Sequence, residues 1–259
     1  MIKIVFRKVR LVVLNIESKY DLSILKSGFS SFGLELSKEQ YSKFIKYYEL
    51  LVEWNSFMNL TAITDFNEVC VKHFIDSVSL CKAVSDIADK KYTVIDIGTG
   101  AGFPSIPLKI VFPNLKITML DSLGKRIKFL NEVISQLDLR DIEAIHGRAE
   151  DYAKPNLLRE KFDICVSRAV ANISTLSEYC IPYVKNNGYF ISYKSEKIAD
   201  EIEQSGNAIT ILGGEISKQV EFILPESDIF RNLFVIKKTS VTPKKFPRKA
   251  GLPSKEPLK

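Results

Sequence analysis

The chain has 259 residues, 46% of them hydrophobic, which is enough for one large domain with a sizeable core. Its net charge of +6 lies at the two ends, because residues 1–10 carry +4 and residues 242–259 carry +5. Four widely separated cysteines and only two histidines argue against a disulfide framework and against a metal centre. No apolar run approaches the roughly 20 residues of a membrane span, so we expect a reduced, cytoplasmic protein without a membrane partner.

The first 90 residues are predicted to form an N-terminal extension and a helical cap. Residues 1–18 contain a short apolar stretch, LVVLNI, but no small-residue cleavage site follows it, so we interpret them as an extension rather than a signal peptide. A strong helix begins after Ser37, which forms a capping-box pattern with Gln40 and precedes apolar residues at helical spacing. Helical sequence continues through HFIDSVSLCKAV to about Val84.

Residues 91–241 are predicted to form an α/β domain with a Rossmann-like, doubly wound sheet. Amphipathic sequence separates most of the strands, which favours parallel pairing. The last two strands are separated by only a few residues, too few for a crossover, so they are predicted to form an antiparallel hairpin. The result is a mixed sheet with one antiparallel strand. The predicted strands are YTVIDIG, KITMLD, IEAIHG, FDICVS, GYFISYK, QVEFILP and NLFVIKKT.

Residues 242–259 are predicted to form a basic, proline-rich tail, TPKKFPRKAGLPSKEPLK. It has no hydrophobic periodicity and cannot form a packed element on its own. Its cations would bind phosphate without base selectivity and more weakly at high salt. The candidate RNA contacts are Lys244, Lys245, Arg248 and Lys255. The alternative is a tail that only increases solubility.

A glycine-rich loop follows the first predicted strand, in the sequence VIDIGTGAGFP. It lacks the Lys-Ser or Lys-Thr of a P-loop, and it fails the GxGxxG pattern because Phe103 or Ser105 stands at the third glycine position. Glycine permits a positive φ and lets a ligand approach the backbone where no Cβ intervenes. We therefore expect Gly98 and Gly100 to line a ligand site; a purely structural turn is the alternative.

An acidic residue, Asp121, ends the next predicted strand, 23 residues after Gly98. The carboxyl ends of these two strands share one crevice in a doubly wound sheet, where a carboxylate can accept hydrogen bonds from both hydroxyls of a ribose. The missing third glycine argues against a pyrophosphate. S-adenosylmethionine fits this pattern, because it has an adenosine but no phosphate. Asp96 precedes the glycines. It could belong to the ligand site, or it could be a capping acid that orders the turn.

The sequence resembles the bacterial 16S ribosomal RNA guanine-N7 methyltransferase family, also called glucose-inhibited division protein B. The resemblance covers roughly residues 30–258 and departs from the family pattern at Ser105 and Phe246. The blocks that carry it are WNSFMNLTAIT (54–64), KHFIDS (72–77), DIGTGAGFPSIPL (96–108), DSLGKRIKFL (121–130), GRAED (147–151), FDICVSRAV (162–170) and FPRKAGLPSKEPL (246–258).

The resemblance implies cofactor contacts at Gly98, Phe103, Ala149, Glu150 and Arg168. Phe103 is alternatively a core residue. The GRAED turn follows the third strand, where Glu150 could read the adenine edge or simply stabilise a helix N-terminus. Arg168 ends the fourth strand, where fold analogy places groups that meet the methyl acceptor. We interpret Arg168 as positioning the cofactor or the acceptor; a structural salt bridge is the alternative.

The implied reaction is transfer of a methyl group from S-adenosylmethionine to N7 of guanine 527 in 16S ribosomal RNA. Guanine N7 has a free lone pair and no proton to lose, so the enzyme needs to position the reactants in line but needs no general base. Cys165 lies in an apolar strand without the adjacent proline that a nucleophilic cysteine would have. We interpret it as a buried small hydrophobe.

Further RNA contacts are predicted near the cofactor edge, at His73, Lys125 and Arg126. His73 and Asp76 share one helical face, so a structural pair is an equal alternative. Lys125 and Arg126 open a helix, where cations are unfavourable to the helix dipole; this favours phosphate binding over a merely solvated face. The expected partner is small-subunit ribosomal RNA or an assembling 30S subunit, bound by a monomer.

Two other functions are compatible with the residues. One is a small-molecule methyltransferase that uses the same cofactor, against which the basic tail argues mildly. The other is a non-catalytic RNA-binding or assembly factor with a vestigial pocket, against which DIGTGAG, Asp121 and Glu150 argue.

Overall fold

The computed structural model of the chain describes residues 19–169, 171–195 and 198–258, so the extension predicted over residues 1–18 lies outside the described residues. The α-helices are α1 (Ser23–Ser30), α2 (Lys38–Met58), α3 (Phe66–Val69), α4 (Asp76–Val78), α5 (Ser105–Val111), α6 (Gly124–Gln136), α7 (Ala149–Tyr152), α8 (Ile173–Cys180), α9 (Ala199–Ile211) and α10 (Leu252–Lys255). The strands are β1 (Thr93–Ile97), β2 (Lys116–Asp121), β3 (Ile142–His146), β4 (Phe162–Ser167), β5 (Val184–Lys194), β6 (Gly214–Ile223) and β7 (Phe230–Lys238).

The seven strands form one sheet in the order β3-β2-β1-β4-β5-β7-β6. Strands β1 to β5 pair in parallel, and β7 runs antiparallel to both β5 and β6. The Rossmann-like mixed sheet with one antiparallel strand is therefore confirmed. The strand order reverses between β1 and β4, which is the point where doubly wound sheets bind ligands. Strand β6 begins earlier than predicted, because its first half is polar and exposed and has no hydrophobic pattern.

Strand β1 is buried on both faces, as expected for a parallel strand inside a doubly wound sheet. Its side chains alternate across the sheet, so Val94 packs with the N-terminal helices while Ile95 and Ile97 pack with α8 and α9. The chain therefore has a hydrophobic core on each side of the sheet.

The N-terminal helices pack directly against the sheet and its glycine-rich loop. Helix α2 begins with the predicted capping box, in which Ser37 and Gln40 satisfy each other's backbone N–H groups. Tyr47 is fully buried and its hydroxyl donates to the carbonyl of Ala101 at 2.6 Å. Residues of the predicted cap, such as Phe44, share one hydrophobic cluster with Val94 of the sheet. The N-terminal helices therefore hold the glycine-rich loop in place through the hydrogen bond from Tyr47 to Ala101.

The helix predicted to continue to about Val84 is irregular. A π-helical segment (Cys70–Ile75) follows α3, and a 3-10 segment (Ser79–Lys82) follows α4. Segments of π-helix are rare and are often found at functional sites. Here the π-helical segment contains His73, which lines the cavity described below.

The C-terminal tail packs against the α/β core. The Arg159 guanidinium donates to the backbone carbonyls of Thr242, Pro243 and Phe246. Phe246 is only 6% exposed, and α10 forms near the end of the tail. The sequence pattern gave no sign of this order, because the tail's partners lie more than 80 residues earlier in the chain.

Asp96 and Ser105 join β1 to α5 across the glycine-rich loop. Asp96 is fully buried, and its Oδ2 accepts a hydrogen bond of 2.8 Å from the Ser105 hydroxyl. Burial raises the pKa of Asp96 to about 7. The native state therefore holds a proton that the unfolded state releases near pH 4, and this contribution to stability is lost as the pH rises from about 4 to about 7. Asp96 acts in this structure as an acid that orders the turn.

Replacing Ser105 with alanine is expected to lower the free energy of unfolding by about 1–3 kcal/mol, because it removes a donor to a buried carboxylate. The loss should be larger at pH 9, where Asp96 is ionised, than at pH 6. Urea unfolding at both pH values measures it. Ser79→Ala is the matched control, because Ser79 is equally buried but donates to a backbone carbonyl. An equal loss for Ser105→Ala at both pH values would contradict the assignment.

Candidate active site

A cavity of about 770 Å³ opens at the carboxyl ends of β1, β2, β3 and β4. This volume lies within the usual range for sites that hold small molecules and cofactors. All the residues predicted to bind the cofactor line it, although they come from four separate strand ends. They are Gly98, Gly100, Phe103, Asp121, Ala149, Glu150 and Arg168.

The glycines at alternate positions of the loop, Gly98, Gly100 and Gly102, have different structural roles. All three have a positive φ, of 73° at Gly98, 63° at Gly100 and 98° at Gly102. A Cβ at Gly100 would meet no atom within 4 Å, so this position is open to the cavity. A Cβ at Gly102 would lie 2.6 Å from Ile106 and 2.9 Å from Leu130, so this glycine is required for close helix contact. The first two glycines therefore leave room for a ligand.

Asp121 lines the cavity and is only 3% exposed. Its Oδ2 accepts hydrogen bonds from the Gly100 N–H at 2.9 Å and from Arg126 at 3.1 Å, and its Oδ1 accepts from the Leu123 N–H at 2.9 Å. A carboxylate offers about four lone-pair positions. The side chain of Arg126 is about one third exposed, so it is the partner of Asp121 that can move away. The carboxylate can then accept hydrogen bonds from ribose hydroxyls while the amides of Gly100 and Leu123 stay bound to it.

Glu150 joins the cavity to the C-terminal tail. Its side chain is almost completely buried, and Oε1 accepts a 2.7 Å hydrogen bond from the Gly251 N–H. Ala149 beside it is held by its carbonyl, which accepts from the Tyr183 hydroxyl at 2.6 Å. A carboxylate and backbone amides at the end of β3 suit the donor and acceptor edge of an adenine. The donor set of this cavity therefore fits an adenosine.

Phe103 and His73 form one wall of the cavity. Their rings are stacked with centroids 4.4 Å apart, and Phe103 also contacts Tyr47 in the core. Phe103 is 8% exposed, so it belongs to both the core and the cavity wall. The His73 Nε2 lies 2.9 Å from the Thr61 hydroxyl. Burial and the nearby charge of Arg168 lower the pKa of His73 to about 3, so its ring is neutral near pH 7.

Arg168 is anchored to the segment that contains His73. Its guanidinium lies 3.2 Å from Asp76 and donates to the Ser77 hydroxyl at 3.0 Å. Asp76 also accepts from Arg231 Nε at 2.7 Å, so two guanidinium groups share one buried carboxylate and a net positive charge remains. The partners of Asp76 are thus these arginines rather than His73. The salt bridge is the structural alternative raised from the sequence, and Arg168 also lines the cavity; its role in positioning the cofactor or the acceptor stays a prediction.

The lowered pKa of His73 makes the stability of the folded protein depend on pH. A depressed pKa means that the unfolded state binds a proton between about pH 6.5 and pH 3 while the native state does not, so stability is lost as the pH falls through this window. We expect the stability advantage of the wild type over His73→Gln to shrink below pH 6.5 and to be constant from pH 7 to 9. Guanidinium unfolding of both proteins across this range measures it. A gap that widens in acid would show that His73 is charged in the folded protein.

The basic residues that open α6 lie beside the cavity. Lys125 is exposed and its ammonium donates to the carbonyl of Met58 at 3.0 Å, which ties α6 to the end of α2. Arg126 is bound to Asp121, as described above. Of these two cations, Arg126 lines the cavity and Lys125 does not; their contact with RNA stays a prediction.

The basic residues of the tail divide into two groups. Lys244, Lys245 and Lys255 are exposed. Arg248 is instead turned towards the core, where its guanidinium contacts the fully buried carboxylate of Glu178 through both Nε and Nη2. The charge of Arg248 is therefore balanced within the chain.

Several cavity residues were missed by sequence reasoning, namely Thr61, Arg148, Tyr179, Gly251 and Ser254. Four of them lie inside the sequence blocks that carried the family resemblance, so position within a block was a usable signal. Tyr179 lies on α8 and had no such signal. Cys165 is completely buried, and burial raises the pKa of its thiol, as expected of a small hydrophobe in the core. In the described ranges, no helix is long and apolar enough to cross a membrane.

Comparison with known proteins identifies the family. The profile of the family described as "GidB: rRNA small subunit methyltransferase G" matches residues 40–229. The chain is 53% identical over 238 residues to the ribosomal RNA small subunit methyltransferase G of Lachnoclostridium phytofermentans, covering 92% of this chain and 98% of that protein. It is 54% identical to the protein of the same name from Acetivibrio thermocellus, covering 91% and 96%. With its Rossmann-like sheet and its adenosine-fitting cavity, this chain is an S-adenosylmethionine-dependent methyltransferase that belongs to the rRNA small subunit methyltransferase G family.

Proposed function

We propose that this enzyme transfers a methyl group from S-adenosylmethionine to N7 of a guanine in small-subunit ribosomal RNA, at position 527 as the family resemblance implies. The observation that carries the proposal is one cavity that gathers the glycine-rich loop, Asp121, Glu150 and Arg168 in a chain of this family. The relatives are named as ribosomal RNA methyltransferases, and the cations Arg126 and Arg148 line the same cavity.

Bound S-adenosylmethionine supplies an electrophilic methyl group on a sulfonium sulfur. The chain's own residues have the task of binding and orientation. Asp121 would hold the ribose, and Glu150 with the neighbouring backbone would hold the adenine. The open space at Gly100, next to Gly98 in the cavity wall, would accommodate the part of the ligand that approaches the backbone. Phe103 and His73 form an apolar, neutral wall that excludes water from the reacting groups.

Guanine N7 attacks through a lone pair and releases no proton, so no residue needs to act as a base. The neutral state of His73 and the ion pairing of Arg168 are compatible with such a site. The acceleration would come from holding the nucleophile, the methyl carbon and the sulfur in line. Arg168 lies at the edge of the cavity, where it would position the acceptor or the carboxylate of the cofactor.

The RNA would bind across the cavity rim through Lys125, Arg126 and His73 on one side and through Lys244, Lys245 and Lys255 on the tail. Lysine contacts to phosphate make binding weaken steeply as salt rises. We propose that a monomer acts in the cytoplasm on the ribosomal RNA or on an assembling 30S subunit. Arg248 would support this surface by holding the tail in place.

The proposal is tested by mapping N7-methylguanosine in small-subunit ribosomal RNA from cells with and without the gene, using borohydride–aniline cleavage and primer extension. The expected result is a cleavage stop at position 527 that disappears on deletion and returns when purified enzyme and S-adenosylmethionine are added. An unchanged pattern of stops would overturn the proposal and would favour a small-molecule acceptor at the same cavity.

A further inference from the structure

A second cavity of about 470 Å³ adjoins the cofactor cavity. The two cavities share one wall, which is formed by Arg168, Ala169 and Ala171. Each of the two alanines has only a methyl side chain, and Arg168 belongs to the lining of both cavities. The volume of the second cavity lies in the range of small-molecule sites. This arrangement suits a donor on one side and an acceptor on the other.

The far wall of the second cavity comes from the ends of β5 and β7 and from α9. It includes Tyr193, Lys194, Glu201 and Arg231. The Tyr193 hydroxyl is already committed, because it donates to the carbonyl of Ser77 at 2.8 Å. Arg231 is bound to Asp76. Glu201 is therefore the acidic group of this wall that can receive further donors.

Glu201 is held firmly through one of its two carboxylate oxygens. Its Oε2 accepts from the Ile173 N–H at 3.1 Å and from the Lys194 ammonium at 2.8 Å. Lys194 also donates to the carbonyl of Ala171 in the shared wall, at 2.9 Å. Among the residues that the structure describes, none donates to Oε1 of Glu201, whose side chain is 37% exposed. Oε2 is thus fixed by two donors, and Glu201 lines the second cavity.

A guanine has a distinctive arrangement of donors relative to N7. Its N7 and O6 acceptors lie on one edge, whereas N1–H and the N2 amino group lie side by side on the Watson–Crick edge. If N7 meets the methyl group where the two cavities adjoin, the Watson–Crick edge points away from the cofactor towards the far wall. An ionised carboxylate there can accept from both N1–H and the N2 amino group. Adenine instead presents an unprotonated N1 acceptor, which a carboxylate would repel.

We propose that the second cavity is the binding site of the acceptor guanine and that Glu201 selects it by accepting hydrogen bonds from N1–H and the N2 amino group. This inference rests on the proposed function, since it specifies the acceptor of the same reaction. Lys194 orients the carboxylate. The positive charge that Arg168 and Arg231 retain beside Asp76 favours the anionic backbone of the RNA. A base read in this way must leave its stack, which is general for enzymes that modify bases.

The experiment compares methylation of small-subunit ribosomal RNA that carries guanosine or inosine at the target position. Inosine keeps N7, O6 and N1–H but lacks the N2 amino group. We expect the wild type to lose about 10-fold in kcat/KM on inosine, because one acceptor of Glu201 is left unpaired. Glu201→Gln should lose about 10- to 100-fold on guanosine and should treat the two RNAs nearly alike.

Glu203→Gln is the matched control, because Glu203 lies on the same helix and is exposed to solvent. It should keep both the rate and the preference of the wild type. Binding of S-adenosylmethionine should be unchanged in both variants, since Glu201 does not line the cofactor cavity. A merely structural role of Glu201 would lower both rates together and leave the guanosine-to-inosine ratio intact.

Equal wild-type rates on guanosine and inosine overturn the proposal, and this arm remains decisive if Glu201→Gln fails to fold. A wild-type ratio in Glu201→Gln also overturns it. If the wild-type enzyme methylates no guanosine in the RNA but binds S-adenosylmethionine, the proposed function itself fails, and the acceptor site fails with it. These outcomes are distinguishable because cofactor binding and RNA methylation are measured separately.

Discussion

Asp121→Asn is expected to weaken the binding of S-adenosylmethionine about 100-fold. The substitution keeps the size of the side chain but removes the charge and one acceptor at the end of β2. Hydrogen bonds to a charged group contribute about 1.5–3 kcal/mol each. Weakening the two hydrogen bonds from the ribose hydroxyls therefore costs on the order of 3 kcal/mol of binding free energy, which is about 100-fold in the dissociation constant. Isothermal titration calorimetry of the purified variant measures the dissociation constant directly.

The control for this prediction is Asp151→Asn. Asp151 is also an acid near the carboxyl edge of the sheet, but it is half exposed and does not line the cofactor cavity. Its variant should bind the cofactor as the wild type does. Asp121 also orders the Gly100 and Leu123 amides, so the thermal unfolding of Asp121→Asn must be recorded alongside. An unchanged dissociation constant in a folded Asp121→Asn protein would remove Asp121 from the cofactor site.

The sequence predicted the central strands well because β1, β2 and β4 are buried on both faces. Strand β4 spans Phe162–Ser167, which matches the predicted run FDICVS. Alternating or continuous burial leaves a pattern in the sequence that needs no knowledge of distant partners. Strand β6 lies at the sheet edge and its first residues are exposed, so the pattern there was absent. The irregular helix around His73 was also missed, since a π-helical segment has no simple spacing signal.

The cofactor site was predictable for a related reason. In a parallel sheet the ends of neighbouring strands meet, so residues such as Gly98, Asp121 and Glu150 could be brought together by counting strands. Contacts between side chains from distant segments could not be found in this way. The sharing of Asp76 by Arg168 and Arg231 joins residues up to 155 positions apart. The second cavity is lined by Asp76 and by both of these arginines, so sequence reasoning could not find it.

The tail lines the candidate cofactor cavity and is not an independent appendage. The Gly251 N–H donates to Glu150, and Ser254 lines the same cavity. The exposed lysines of the tail therefore stand on a segment whose position is linked to Glu150 in the cavity wall. Any substitution that releases the tail should weaken both RNA binding and cofactor binding. The ion pair between Arg248 and the buried Glu178 is one of the contacts that hold the tail in this position.

Arg248→Met is expected to lower the free energy of unfolding by about 3–5 kcal/mol, the usual cost of removing one partner from a buried ion pair. Glu178 is completely buried and would keep only the 2.7 Å hydrogen bond from the backbone N–H of residue 248. The variant also loses the donor to the carbonyl of Glu256, at 2.7 Å. Urea unfolding followed by circular dichroism measures the change. Lys249→Met is the exposed control and should be neutral.

The double variant Glu178→Leu/Arg248→Met separates a structural role of Arg248 from a direct RNA contact. Replacing both partners of a buried ion pair with apolar residues is often neutral, so the double variant should regain most of the stability that Arg248→Met loses. If Arg248 serves mainly to hold the tail, RNA methylation should recover together with stability. A double variant that is stable and binds S-adenosylmethionine, but still fails to bind RNA, would show instead that the guanidinium of Arg248 contacts the RNA itself.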